Sequence, residues 1–176
     1  MYKISLFTLS ILCCFSLIGS NINLARTNIS KITTIGQIDT VLILLDDIHT
    51  PVSNAYKGAY TMMKAKYVSS PFKKYAYFNK GKALIENAIE QAPNNVEIRY
   101  LRATLQANSP KFLNYYENIN EDIGFVLTNL KKAEISKKVK YKIIINLVAA
   151  NLISNEQKAT IFYQINYARN TSNISR

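Results

Sequence analysis

Two arginines, three positions apart, have the type and spacing best suited to binding a charged group. Arg99 and Arg102 lie in a segment of helical periodicity, with Tyr100 between them. A guanidinium binds a carboxylate through paired hydrogen bonds, so Arg99, Tyr100 and Arg102 are candidate partner-binding residues for an acidic group such as a peptide end. The arginines could instead form an internal ion pair with Glu121 or Asp122, and the sequence favours this second interpretation.

Positive charge is unevenly distributed along the chain. Lysine and arginine number 22 against 11 acidic residues, a formal net charge of +11. One stretch without any acidic residue contains Lys57, Lys64, Lys66, Lys73, Lys74, Lys80 and Lys82. Several basic residues stand beside tyrosines, as in Tyr56-Lys57 and Lys74-Tyr75, and Lys57, Lys64, Lys73 and Lys80 are candidates for binding an anionic lipid or lipopolysaccharide surface. The composition favours a simpler interpretation, in which solvated lysine heads have stems that cover tyrosine rings. The excess of lysine over arginine disfavours nucleic acid as a partner.

Residues suited to catalysis or metal binding are few. His49 is the only histidine, and it lies near Asp46 and Asp47. A single histidine is a weak indication of a metal site, and we expect a solvated residue at a helix end. The sequence has no zinc-protease motif, P-loop, nucleophile elbow or dinucleotide fingerprint. It therefore predicts a protein without enzymatic activity, metal or cofactor.

The first twenty residues have the layout of a secretory signal peptide. Lys3 supplies positive charge, an uncharged apolar run follows, and Gly19 and Ser20 are small residues suited to cleavage. The apolar run is shorter than the ~20 residues that a membrane-spanning helix needs. We therefore expect cleavage after residues 1–20, export to the periplasm or medium, and no permanent transmembrane helix; a retained N-terminal anchor is the alternative. Both cysteines lie inside this segment.

The rest of the chain shows the periodicity of helices. The polar residues 21–36 are interpreted as a flexible lead-in, residues 37–169 as a single helical domain, and residues 170–176 as a frayed tail. Residues 41–45 could also form a buried strand, but their flanking aspartates and the lack of a partner strand favour helix. The sequence predicts an all-α fold of six to seven helices, packed as antiparallel hairpins in a bundle.

Capping residues mark the starts of these helices. A Ser, Thr or Asn side chain accepts hydrogen bonds from the first free N–H groups, and proline tolerates the next position. The candidate starts are Thr50-Pro51, Ser70-Pro71, Ser109-Pro110, Asn94, Asn118, Ser136 and Ser154. In the helix predicted over residues 72–91, the spacing places Tyr75, Phe78, Gly81 and Ile85 on the packing face.

The junction after this helix resembles a tetratricopeptide (TPR) repeat. Gly81, Ala88 and Ala103 match its small positions, and Pro93 follows Ala88 at the spacing of that repeat. Small residues at these positions let antiparallel helices approach closely. The resemblance implies one TPR-like helical hairpin and no array, since no second copy at a period of ~34 residues is visible.

A wider resemblance covers roughly Pro51 to Leu130. The segments that carry it are Ala55-Tyr-Lys-Gly-Ala59, Phe78-Asn-Lys-Gly-Lys82, Glu97-Ile-Arg-Tyr-Leu-Arg102 and Pro110-Lys-Phe-Leu-Asn-Tyr115. They look like an uncharacterised family of small exported α-helical proteins of Bacteroidetes-type bacteria, which implies a fold class and a compartment but no chemistry. We expect an exported protein-interaction module that binds another envelope protein. The alternative is a basic protein that binds anionic lipid or lipopolysaccharide surfaces by charge.

Overall fold

The computed structural model describes the backbone of residues 19–172 and the side chains of residues 19–166. Every regular element in this part of the chain is helical, which confirms the predicted all-α class. The predicted signal peptide lies outside the described residues except for its last two. The chain divides into two compact units after Asn87. That residues 37–169 make up one domain stays a prediction. Helical periodicity identifies the buried face of each helix, but it does not show which helices pack together.

Eight α-helices are present in residues 19–172. They are α1 (19–28), α2 (Ile35–Leu45), α3 (Pro51–Met63), α4 (Pro71–Gln91), α5 (Val96–Ala107), α6 (Ile119–Asn129), α7 (Lys137–Ala149) and α8 (Asn155–Ser172). Short 3-10 turns cover Lys64–Tyr67 after α3 and Lys111–Leu113 between α5 and α6. The predicted count of six to seven helices is therefore wrong, because the prediction did not include the helix α1. Of the predicted frayed tail, residues 170–172 belong to α8, and residues 173–176 lie outside the described part.

The additional helix falls in the segment predicted to be a flexible lead-in. Ala25 of α1 is fully buried, and its carbonyl oxygen accepts a hydrogen bond of 2.7 Å from the hydroxyl of Tyr60 in α3. Burial raises the pKa of the Tyr60 hydroxyl, which keeps it a donor. Asn21 also donates from its side-chain amide to the carbonyl of Leu44, at 2.9 Å. Residues 21–28 are thus part of the first unit. Their few buried apolar positions are too sparse to produce a visible period.

In the first unit, α3 and α4 meet at two glycines. A Cβ atom built on Gly58 would lie 2.8 Å from the carbonyl oxygen of Gly81. A Cβ atom on Gly81 would lie 2.6 Å from the carbonyl oxygen of Gly58 and 2.9 Å from the amide nitrogen of Met62. The carbonyl oxygens and the amide nitrogen contacted in this way are backbone atoms, so a side chain at either glycine would require one of the two helices to shift. The close approach expected at Gly81 is confirmed, whereas a TPR-like arrangement stays a prediction.

Local capping places several helix starts where the sequence predicted them. The Thr50 hydroxyl accepts from the Ser53 amide at 3.1 Å, and the Ser53 hydroxyl accepts from the Thr50 amide at 3.0 Å, with Pro51 as the first helical residue. Ser154 and Gln157 form the same reciprocal pair at the start of α8. Each motif satisfies N–H groups that have no partner within the helix.

The second unit is built on α5, which packs against α6 and α7, while α7 packs against α8. Its fully buried apolar side chains include Ile98, Leu101, Val126, Leu130, Ile144 and Leu147. These residues recur at three- and four-residue spacing, so burial of one apolar stripe per helix holds the unit together.

Two predicted caps in this unit differ from the structure. Asn95, and not Asn94, caps α5, because its side-chain oxygen accepts from the amides of Glu97 at 3.0 Å and Ile98 at 3.1 Å. Asn118 stands at the start of α6, but its side-chain oxygen accepts from the amide of Gln106 at 3.2 Å instead. A tertiary hydrogen bond thus replaces the local cap at that helix.

Candidate functional site

The predicted arginine pair lies in a buried ion cluster of the second unit. Arg102 in α5 donates two hydrogen bonds to the carboxylate of Asp122 in α6, from Nε at 2.7 Å and from a terminal nitrogen at 2.8 Å. Asp122 is fully buried and Arg102 is 5% exposed. Arg99 donates to the same carboxylate at 2.8 Å. The internal ion pair that the sequence favoured is therefore present, and Asp122 is the carboxylate shared by both arginines.

Arg99 is held by further contacts at the edge of this cluster. Its Nη1 donates to Glu121 at 2.6 Å, its Nε donates to the carbonyl of Pro93 at 2.8 Å, and its guanidinium lies 5.0 Å from the centroid of the Phe125 ring. Partial burial lowers the pKa of Arg99, but hydrogen bonds to Asp122 and Glu121 outweigh this effect and raise the pKa overall. Hydrogen bonding to Arg99 lowers the pKa of Glu121. Arg99 thus joins α5, α6 and the turn that precedes α5.

Tyr100, the third predicted partner-binding residue, is buried in the second unit. It is 5% exposed, and its hydroxyl oxygen accepts a hydrogen bond of 2.7 Å from the amide of Asn146 in α7. Desolvation by burial raises the pKa of the hydroxyl. Tyr100 faces α7 while Arg102 contacts α6, so the structure places these side chains in different interfaces. That Arg99, Tyr100 and Arg102 bind a partner stays a prediction.

Two of the four predicted surface lysines are used within the first unit. The Lys57 ammonium donates to the carbonyl oxygens of Asp46 at 2.9 Å and Ile48 at 3.0 Å, which follow the end of α2. Lys64 forms an ion pair with Asp39, and its ammonium lies 5.6 Å from the centroid of the Tyr77 ring. The ammonium groups of Lys57 and Lys64 are thus bound within the unit, which differs from the simpler interpretation in which the lysine heads are solvated; the Lys57 contacts stabilise the end of a helix.

The other two predicted lysines lie on an exposed surface at the start of α4. Lys73 and Lys80 are exposed, as is Lys74. Phe72 precedes Lys73 and Tyr75 follows Lys74, and these two rings are 88% and 59% exposed. We call these five residues the α4 basic-aromatic face. It combines positive charge with apolar area and contains no acidic residue.

The aromatic part of this face is what sequence reasoning missed. The helical spacing placed Tyr75 on the packing face together with Phe78, and only Phe78 is buried there. That placement of Tyr75 is wrong because the first turns of α4 extend past the part of the helix that packs in the first unit. The available signal was the long acid-free stretch, which starts before α3 and continues to Glu86.

No group of three or more His, Cys, Asp or Glu side chains within the described part of the chain is arranged to hold a metal ion. His49 is exposed, in the turn between α2 and α3. Among the described residues, no helix combines the length and the apolar character needed to cross a bilayer.

Comparison with known proteins yields no match: neither a protein-family model, nor a curated protein, nor a solved structure is similar to this chain. The geometry of the chain's own residues therefore carries the functional argument.

Proposed function

We propose that this chain is an exported, helical binding protein that attaches to anionic lipid surfaces of the bacterial cell envelope through the α4 basic-aromatic face. The observation that supports this proposal is the exposure of Lys73, Lys74 and Lys80 in a stretch that lacks any acidic residue. Phosphate groups on such a surface attract each nearby lysine by about 1 kcal/mol. The predicted leader over residues 1–20 would bring the chain to that compartment.

Four other positive side chains that the sequence singled out have partners within their own unit. Arg99, Arg102 and Lys64 pair with carboxylates of the same unit, and Lys57 binds backbone carbonyls. Their charges are partly compensated, whereas the lysines of the α4 basic-aromatic face are directed to solvent. This difference favours the start of α4 over the originally predicted set of Lys57, Lys64, Lys73 and Lys80.

Co-sedimentation with lipid vesicles tests the proposal. The full chain is mixed with phosphatidylcholine vesicles, with or without phosphatidylglycerol, and in a separate arm with lipopolysaccharide. Binding to the anionic vesicles should weaken steeply with salt, because the screening length falls from about 10 Å at 0.1 M to about 3 Å at 1 M. Binding that is equal on neutral vesicles, or indifferent to salt, would remove the proposal. The lipopolysaccharide arm shows whether glycerophospholipid or lipopolysaccharide supplies the phosphate.

A matched pair of variants locates the binding surface. Neutralising the three lysines of the face, with Lys73, Lys74 and Lys80 changed to Gln, should cost about 3 kcal/mol, or on the order of a hundredfold in affinity. The control neutralises three exposed lysines of the second unit, Lys131, Lys132 and Lys138. Both variants lose the same net charge and keep the same N-terminal residues. Equal loss in the two would show attraction by overall charge and would contradict a defined surface.

A protein-interaction module is the second candidate. Phe112 and Tyr116, in the connection between α5 and α6, are 81% and 52% exposed, and aromatic residues are enriched in protein interfaces. A partner bound there should be captured from an envelope extract by the parent chain and lost with Phe112→Ala and Tyr116→Ala. Capture that is insensitive to both changes would argue against this candidate.

A further inference from the structure

The exposed ring of Phe72 on the α4 basic-aromatic face is not explained by attraction between charges. Its side chain is 88% exposed, and Tyr75, one turn further along α4, is 59% exposed. Residues three apart on a helix are neighbours, so the two rings form one apolar strip. A surface that bound phosphate by charge alone would not need such a strip.

The helix geometry gives this strip a defined direction. Successive residues of an α-helix are about 100° apart around the axis, so Phe72 projects from the side opposite to Gly81. Gly81 contacts α3, because a Cβ atom built on Gly81 would lie 2.6 Å from the carbonyl oxygen of Gly58. Tyr75 lies beside Phe72 on one flank, and Lys73 and Lys80 lie on the other. Lys74, about 160° from Phe72, lies on the side of Gly81. An outer face of rings bordered on one flank by Lys73 and Lys80, with the inner face packed on α3, is suited to lying flat on a surface.

A lipid interface matches both chemical features of this face. Aromatic side chains favour the boundary between headgroups and acyl chains, and amphipathic helices with lysines beside aromatic rings lie in that plane. Lysine stems can cover apolar surface while their ammonium groups stay among the phosphates. A soluble polyanion would offer the phosphates but no apolar region for Phe72 and Tyr75.

On the basis of the proposed function, we infer that the start of α4 enters the headgroup boundary of an anionic glycerophospholipid bilayer, with Phe72 and Tyr75 inserted and Lys73 and Lys80 among the phosphates. The lysines bring the chain to the membrane, and the rings then hold it there. Binding should consequently have two components, one that salt screens and one that salt leaves in place.

The absence of tryptophan allows a direct test, since Phe72→Trp places the first tryptophan of the chain on this face. Its emission should shift to shorter wavelength on phosphatidylglycerol-containing vesicles and be quenched by brominated acyl chains. The control is Phe112→Trp, because Phe112 is 81% exposed and also stands beside a lysine, but in the second unit. Its emission should stay unchanged. A shift of equal size with inorganic polyphosphate alone would overturn insertion.

Affinity measurements separate this inference from the proposed function. Phe72→Ala should weaken vesicle binding by about tenfold, as expected for withdrawing a partly buried ring from an apolar phase, and should leave the salt dependence unchanged. Phe112→Ala should bind like the parent chain. If the lysine variant loses binding but Phe72→Ala does not, the proposed function stands and insertion is refuted. If neither variant changes binding, both fail.

Discussion

Replacing Asp122 by Asn tests how strongly the buried ion cluster stabilises the second unit. The change keeps the shape of the side chain but removes the carboxylate charge that binds Arg102 through two hydrogen bonds; Arg102 is 5% exposed. Removing one partner of a buried ion pair costs about 3–5 kcal/mol, because the remaining charge is desolvated without compensation. The matched control is Glu121→Gln, in the same first turn of α6. Glu121 is 62% exposed and binds Arg99, so its removal should cost about 1 kcal/mol or less.

Urea unfolding followed by far-ultraviolet circular dichroism measures both costs. With a slope of about 2 kcal/mol per molar urea, Asp122→Asn should lower the midpoint by about 2 M and Glu121→Gln by less than about 0.5 M. Hydrogen exchange should show the larger loss of protection in α5 and α6. The double variant Arg102→Met with Asp122→Leu should recover part of the stability, since an apolar pair of similar volume removes both charges of this ion pair. If Asp122→Asn lowers the free energy of unfolding no more than Glu121→Gln does, the charges of the cluster are solvated, and the predicted cost of an unpaired buried charge is refuted.

Two further predictions concern the helix crossing and the acid stability of the chain. Gly81→Ala should lower the free energy of unfolding by about 1–3 kcal/mol through overpacking against the backbone of Gly58 and Met62, whereas Gly124→Ala, with nothing within 4 Å of the new Cβ atom, should raise it by about 1 kcal/mol. Thermal unfolding measures both, and changes of the same sign would contradict the close crossing. Hydrogen bonding lowers the pKa of Glu121 below its ordinary value of 4.5, so its stabilising contribution is complete above pH 4.5 and is lost as the pH falls through the folded-state pKa. Urea midpoints measured from neutral to acid pH should fall less in Glu121→Gln than in the parent chain, and identical profiles would contradict this assignment.

Helix starts could be predicted from the sequence wherever the cap is local. At Thr50 and Ser154, the capping side chain and its partners lie within three residues, so neighbouring positions contain all the information. At Asn118 the prediction of a side-chain cap is wrong, because Gln106 of another helix binds the same oxygen. The helix α1 was missed for a related reason, since its stability depends on the contact of Ala25 with Tyr60, 35 residues away.

The candidate surface shows the same limit. The spacing of apolar residues indicates that Tyr75 and Phe78 share a helix face. It does not indicate how far along the helix the packing partner extends. The exposure of Phe72 and Tyr75 is consequently a property of the folded unit. Charge was easier to predict, because the acid-free stretch is continuous in the chain and needs no partner to be recognised.

The sequence by itself determined the all-helical class, most helix boundaries and the excess of positive charge, since these depend on residues within a few positions of each other. Only the tertiary structure decided which charges are compensated. Arg99 and Arg102 reach Asp122 across more than a helix length of chain, while Lys73 and Lys80 remain in solvent. The physical reason is that an ion pair depends on distance in space, and that distance exists only once α5 and α6 have packed.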